Sequence, residues 1–312
     1  MVQRVLGVAG LCGLVAGGLA GRAWAQDSAR PTGDVQTTTA TETTTSTDKT
    51  LNAQAGFERD PSKWDVSIEP AGWFVGASGR VVLPRETTTG APAKQRLVDL
   101  NMDNPRFEPL LEVNARRGDW RATFRGSYFG AERDTTGLTG ELGDVSFDSS
   151  DTIRTGLDLA ILELEGAYTF AGRPQERQPD GTFAFDPRLD VVFGAHIYAE
   201  EWTIENLSGG TGVTSQKQSD WFVQPLIGLK LAADLYEEVT LDAQMTFGGL
   251  PTGDDSYSLD IIVGAQWRPW TNIGVQLGYR AVFFGLGGGE GDGEFSFDGS
   301  LQGLYAGVVV RF

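Results

Sequence analysis

The stretch "YSLDIIVGAQWR" (Tyr257–Arg268) alternates residue by residue. Tyr257, Leu259, Ile261, Val263, Ala265 and Trp267 fall on one face of an extended chain. Ser258, Asp260, Gly264, Gln266 and Arg268 fall on the other, with Ile262 the one apolar exception. A period of two is the signature of a strand whose two faces meet different surroundings. The pattern recurs on both sides. "VTLDAQMTF" (Val239–Phe247) sets Val239, Leu241, Ala243, Met245 and Phe247 against Thr240, Asp242, Gln244 and Thr246. "NIGVQLGYRAVF" (Asn272–Phe283) sets Ile273, Val275, Leu277, Tyr279, Ala281 and Phe283 against Gly274, Gln276, Gly278 and Arg280. Segments of about ten residues match the length of a tilted membrane-crossing strand.

Working outward, ten such segments emerge, at about 64–82, 106–115, 119–130, 152–171, 188–203, 220–234, 238–248, 256–268, 272–286 and 299–312. Short connections follow the second, sixth and eighth ("RRGD", "LYEE", "PWTN"). Long ones follow the first, third, fifth and ninth. The connection at 249–255 is short for its place in this alternation, and that at 172–187 is long. Short turns at one end and long loops at the other are the asymmetry of a membrane barrel. The expected fold is therefore all-β: a single closed antiparallel transmembrane β-barrel over 61–312, of about ten strands, with eight or twelve as alternatives.

The aromatics sort accordingly. Trp64, Trp120, Tyr168, Phe170, Tyr236, Trp267, Trp270 and Phe312 belong at the turn end. Tyr128, Phe129, Trp202, Trp221, Phe247, Tyr257 and Phe283 belong at the loop end. Two girdles suit rings that favour the headgroup level. One strand disobeys. In "TGLDLAILELEGAYTF" (Thr155–Phe170), Leu157, Leu159 and Ile161 share one parity, while Leu162, Leu164, Tyr168 and Phe170 share the other. A β-bulge near Ile161–Leu162 is the expected remedy, with a locally two-sided buried segment as the alternative.

Residues 1–25 begin with Arg4, continue through a small-residue apolar core and end on Ala23-Trp24-Ala25. They are expected to be a cleaved secretory signal peptide. Cys12, preceded by Leu11, does not make a lipidation site, and it is the single cysteine of the chain. Processing would leave neither a disulfide nor a thiolate metal site. It would also remove two bases and no acid, moving the formal net charge from −17 to −19. Such an acidic chain repels nucleic acid. Residues 26–60 are Thr-rich, lack apolar periodicity and are expected to be a disordered linker.

The last eight residues, "YAGVVVRF", place Tyr305, Gly307, Val310 and Phe312 in a spaced pattern closed by an aromatic. This end resembles the assembly signal of bacterial outer-membrane β-barrels. The resemblance implies outer-membrane placement and recognition of the last strand by the barrel-assembly machinery, with membrane lipid and lipopolysaccharide as neighbours. It implies no named subfamily.

The polar faces carry the candidate chemistry. The expected lumen network comprises Glu69, Glu112, Arg121, Arg125, Asp158, His196, Lys230, Asp242, Asp260 and Arg280, joined by Asp65, Glu108, Glu163, Glu165, Asp190, Glu200, Arg154 and Arg268. Small barrels are filled by side chains. The leading expectation is a non-enzymatic barrel with a plugged or narrow lumen and a structural or surface-contact role. The alternatives are a small pore for cations or amphiphilic solutes and a hydrolase using His196. Asp190 and Glu200, its same-face acids, lie roughly 20 and 13 Å away along the strand. The outer-membrane proteases of ten strands place Asp and His at the outer rim, and no motif here matches. The Gly-rich acidic stretch 285–299 lacks the calcium-repeat register. No cofactor, metal or catalytic residue is expected.

Overall fold

A computed structural model describes residues 62–87, 92–171, 185–209, 212–235, 238–249, 256–270 and 272–312. The signal-peptide and linker segments lie outside the described residues, as do Tyr236 and most of the connections 172–187 and 249–255.

Ten strands form the wall: β1 (Asp65–Val82), β3 (Arg106–Arg117), β4 (Trp120–Thr136), β7 (Thr152–Ala171), β8 (Phe185–Asn206), β9 (Ser215–Leu235), β10 (Val239–Gly249), β11 (Tyr257–Trp267), β12 (Ile273–Gly288) and β13 (Phe295–Arg311). Each pairs antiparallel with its neighbours in chain order. Pairing of β1 with β13, from Ser67↔Arg311 to Val82↔Ser296, closes the barrel and leaves it no open edge. Three short strands decorate the loop end. β2 (Lys94–Arg96) pairs with β1, while β5 (Gly140–Leu142) and β6 (Val145–Phe147) form a hairpin.

The wall's outer surface is apolar. Phe107 is 78% exposed, Ile227 63% and Leu277 60%, within a belt that includes Leu164, Leu231, Met245, Val263 and Leu304. Water would not tolerate so continuous an apolar surface, whereas a bilayer requires one. Trp120, Tyr168, Phe170, Trp267, Trp270 and Phe312 border it at the turn end, and Tyr128, Trp221, Phe247, Tyr257 and Phe283 at the loop end. Among the described residues no helix is long and apolar enough to cross a membrane. The strands do the crossing.

Wall height is uneven. β7, β8 and β9 run 20, 22 and 21 residues, against 11 each for β10 and β11. A tilted strand needs about ten residues to cross the hydrocarbon, so the long strands continue past the loop-end girdle. Much of what reads as loop at 131–151 and 204–219 is therefore strand.

Three expectations are corrected here. No bulge interrupts β7. Its register with β4 runs unbroken from Trp120↔Tyr168 to Thr136↔Thr152, and with β8 from Ile153↔Asn206 to Ala171↔Arg188. Both faces of that strand are apolar because Leu157, Leu159 and Ile161 fill the barrel interior while Leu164 and Phe170 face outward. Trp202 and Phe129 are fully buried inside and contribute nothing to the outer girdle. Asp158 and Arg154 face outward. Tyr128 donates its hydroxyl to Asp158, and Arg154 Nε donates to Asp134 at 2.8 Å. Their even parity on β7, opposite to that of Glu163, excludes both from the lumen.

Candidate functional site: the filled lumen

The barrel interior has two unlike halves. Toward the loop end it is an apolar core. Trp73, Phe129, Leu159, Tyr198, Trp202 and Phe284 are buried to 1% exposure or less. Trp202 packs edge-on against Phe297 with centroids 5.0 Å apart, and Phe297 does the same to Phe284 at 5.1 Å. Ile262, the exception in the opening stretch, points into this core. The loops close over it. Leu83, Leu97, Leu100 and Met102 from the first loop are fully buried, as are Leu142 and Val145 from the β5–β6 hairpin. Hydrogen bonds pin the cover. Asp144 accepts from the Glu86 and Thr87 amides at 2.9 and 3.0 Å, and Gln216 Nε2 donates to Pro84 O at 2.8 Å.

Toward the turn end the interior is charged. Arg280 marks the boundary. Its guanidinium carbon lies 5.4 Å from the Trp73 ring centroid, while Nη2 pairs with Asp260 at 2.7 Å and with Glu163. Arg125 continues the chain to Glu163 at 2.5 Å and Glu112 at 2.8 Å. Gln244 donates to Glu165 at 2.7 Å. Glu69 accepts from Ser67 at 2.7 Å and from Asn114 and Gln266 at 3.1 Å each. Buried charges of this kind are tolerable only when paired and hydrogen-bonded.

His196 sits in this network at 0% exposure. Its Nδ1 contacts Ser258 Oγ at 2.9 Å, and its Nε2 lies 3.9 Å from Glu163 Oε2. Neither partner is Asp190 or Glu200. Both arrive from other strands, Glu163 directly opposite His196 in the β7–β8 register. A serine–histidine–carboxylate row results, but Ser258 is fully buried and the apolar layer lies next to it. Neither the serine nor the histidine side chain is open to solvent. The donor atoms of Glu163, His196 and Asp260 lie within 4.8 Å of one another, close enough to hold a metal ion. Arg280 already supplies the cation there by pairing with both carboxylates.

Of the other residues expected in the network, Arg121 pairs with Asp190 at 3.0 Å at the turn end. Lys230 and Asp242 line a polar cavity of ≈ 90 Å³ with Glu69, Glu112 and Arg121. Arg188, Asp234 and Arg268 complete the turn-end ion pairs, at 2.7 and 3.5 Å. The sequence puts Ser258 and Gln244 on polar faces but does not mark them as members of the network, because neutral polar residues on a strand's inward face look alike whether they join a network or meet water.

The C-terminal residues divide by face. Val310 points outward and Phe312 is exposed at the turn-end rim, its amide bonded to Val66 O at 3.0 Å. Tyr305 turns inward. A Cβ at Gly278 would meet the Tyr305 ring at 2.4 Å, and one at Gly264 would meet its hydroxyl at 2.6 Å. Both glycines make room for the ring. Gly307 lies against the β1 backbone, 2.4 Å from Pro70 O by the same measure.

No protein-family model and no curated protein matches the sequence. Solved structures do resemble it. The outer membrane protease OmpT of Escherichia coli is 12% identical, with 80% of this chain and 97% of that one covered and a TM-score of 0.49. The translocator domain of the autotransporter NalP from Neisseria meningitidis is 14% identical over 80% and 87%, with a TM-score of 0.40. Ail, the attachment invasion locus protein of Yersinia pestis, is 13% identical over 80% and 99%, with a TM-score of 0.32. At these values the likeness stops at architecture. By its own strand pairing and apolar belt, the chain is a closed ten-stranded β-barrel of the outer-membrane type.

Proposed function

We propose that the protein is a non-conducting, non-enzymatic barrel of the outer membrane, its turn end toward the periplasm and its loop end at the cell surface. One observation carries this reading: the lumen is filled across its width by Trp73, Tyr198, Trp202, Phe284 and Arg280, each buried to 1% exposure or less. An ion would have to displace both an apolar core and a salt-bridge network. Lipid and lipopolysaccharide surround the wall, and the assembly machinery receives Tyr305–Phe312. The role is then structural or one of contact at the surface, through loops pinned to the core.

Single-channel recording of refolded protein in a planar bilayer tests it. Silence is expected, and discrete ohmic steps would favour the pore for cations or amphiphiles. The contact between His196 and Ser258 favours a hydrolase, but their burial opposes it. A serine-reactive phosphonate should leave Ser258 unlabelled. Orientation is tested with single cysteines. Ser149→Cys, exposed at the loop end, should react with an impermeant maleimide on intact cells, and Asn272→Cys should not.

A further inference from the structure

The polar cavity at the turn end has a feature that a plugged barrel does not require. Its lining carries five acidic and five basic side chains, so it has no net charge to draw a simple cation or anion. Yet donors and acceptors are left over on side chains of its lining, on atoms buried behind the cavity surface. Arg188, its side chain 9% exposed, pairs through Nη2 with Asp234, and its buried Nε meets no acceptor. Arg121 Nη2 stands 3.0 Å from Asp190 Oδ2 without a hydrogen-bonding angle, and its Nε likewise has no acceptor. On the acid side, Asp190 Oδ1 is buried without a donor. Native proteins rarely leave such groups unmatched, and an ordered water, an ion or a ligand can supply the missing partner.

We propose that this cavity binds a small zwitterion, an amino acid or the end of a peptide that carries both a carboxylate and an ammonium group. The guanidinium N–H groups of Arg121 and Arg188 receive the carboxylate, matching its planar geometry. Asp190, with Asp242 on the same lining, receives the ammonium group. Size agrees. A space of ≈ 90 Å³ holds about three waters, comparable to one amino-acid headgroup, and the rest of a peptide would extend through the mouth. Lipid headgroups are poorly placed to fill it, because these arginines point inward. The wall at that end presents Trp120, Tyr168, Phe170 and Trp267 to the bilayer instead. That the ligand comes from the periplasm rests on the orientation proposed above. The site itself does not.

The test is calorimetric titration of the refolded full-length chain in detergent micelles with the dipeptide Ala-Ala, its N-acetyl form and its C-terminal amide. The free dipeptide should bind, and blocking either end should weaken binding about tenfold or more, since each end makes a charge-assisted contact. Arg121→Gln and Arg188→Gln should each reproduce the loss seen with the amide. Asp190→Asn should reproduce the loss seen with the acetyl form. Heat-modifiable gel mobility identifies any variant that fails to fold, and the blocked peptides test the unmodified protein regardless. Flat titrations with all three peptides would overturn the proposal and leave the cavity to water. Equal binding of the free and blocked forms would overturn it too. So would occupancy seen only when anionic phospholipid is added to the micelles. Failure of the orientation test would leave these titrations unaffected.

Discussion

The two halves of the lumen block the same passage by opposite physics. The loop-end half is built like the interior of a water-soluble domain, from Trp73, Phe129, Trp202, Phe284 and Phe297 in mutual contact. The turn-end half is a lattice of charges, with Arg125 and Arg280 each shared between acids from different strands. Apolar filling is non-directional and tolerates many neighbours. Charge filling demands that each group meet its partner, and it penalises the loss of one partner more than the loss of both. The first half is closed by its loops, whereas the second keeps a cavity at its mouth.

That contrast is exposed to mutation. The largest effect is expected from Arg280→Met, which strands Asp260 as a buried, uncompensated carboxylate, leaves Glu163 to Arg125 alone and should cost about 3–5 kcal/mol. Adding Glu163→Gln and Asp260→Asn should recover much of it. Urea unfolding of the refolded protein measures both, and a triple variant no better than the single would mean that packing, not charge, sets the cost. In the apolar half, Leu159→Ala should cost about 2–4 kcal/mol through the cavity it leaves. Leu164→Ala, five residues along the same strand but facing lipid, should cost clearly less because acyl chains refill the space. Equal losses would mean that the two faces of β7 are not the distinct environments described above.

Smaller effects are expected at the C-terminal strand. Gly278→Ala drives a methyl group into the Tyr305 ring and against the Val263 carbonyl and should destabilise by about 1–3 kcal/mol, with only partial relief when combined with Tyr305→Leu. Phe312→Ala removes perimeter burial of about 1–3 kcal/mol, which a closed ladder should survive in refolding assays. Its yield in cell membranes should fall much further if the terminal strand is what the assembly machinery reads. Wild-type membrane yield would remove that role. Least of all, Arg154→Ala breaks an exposed pair with Asp134 outside the lumen and should leave stability almost unchanged. A larger loss would mean that this outward ion pair matters more than its exposure suggests.

The alternation in Tyr257–Arg268 and its neighbours determined the strands, their number and their faces, because a membrane wall imposes one environment on each side of every residue pair. It determined the turn end and the loop end through connection length, and the inward parity of Glu112, Arg125, His196, Asp260 and Arg280. It failed where both environments are apolar. Leu157, Leu159 and Ile161 carry no mark that separates a lipid-facing leucine from one packed inside, so the register alone decided against a bulge. It failed again at Asp158 and Arg154, because the wall rises beyond the girdle, where a charge facing outward meets water. Partnership lay wholly in the tertiary structure. Glu163 faces His196 by register, but Ser258 and Arg280 reach that centre from strands about 60 to 120 residues away in the chain. Which charges pair, and which are left at the mouth with a donor to spare, depends on closure of the barrel. Closure brings the first and last strands together and sets every strand's height against the next.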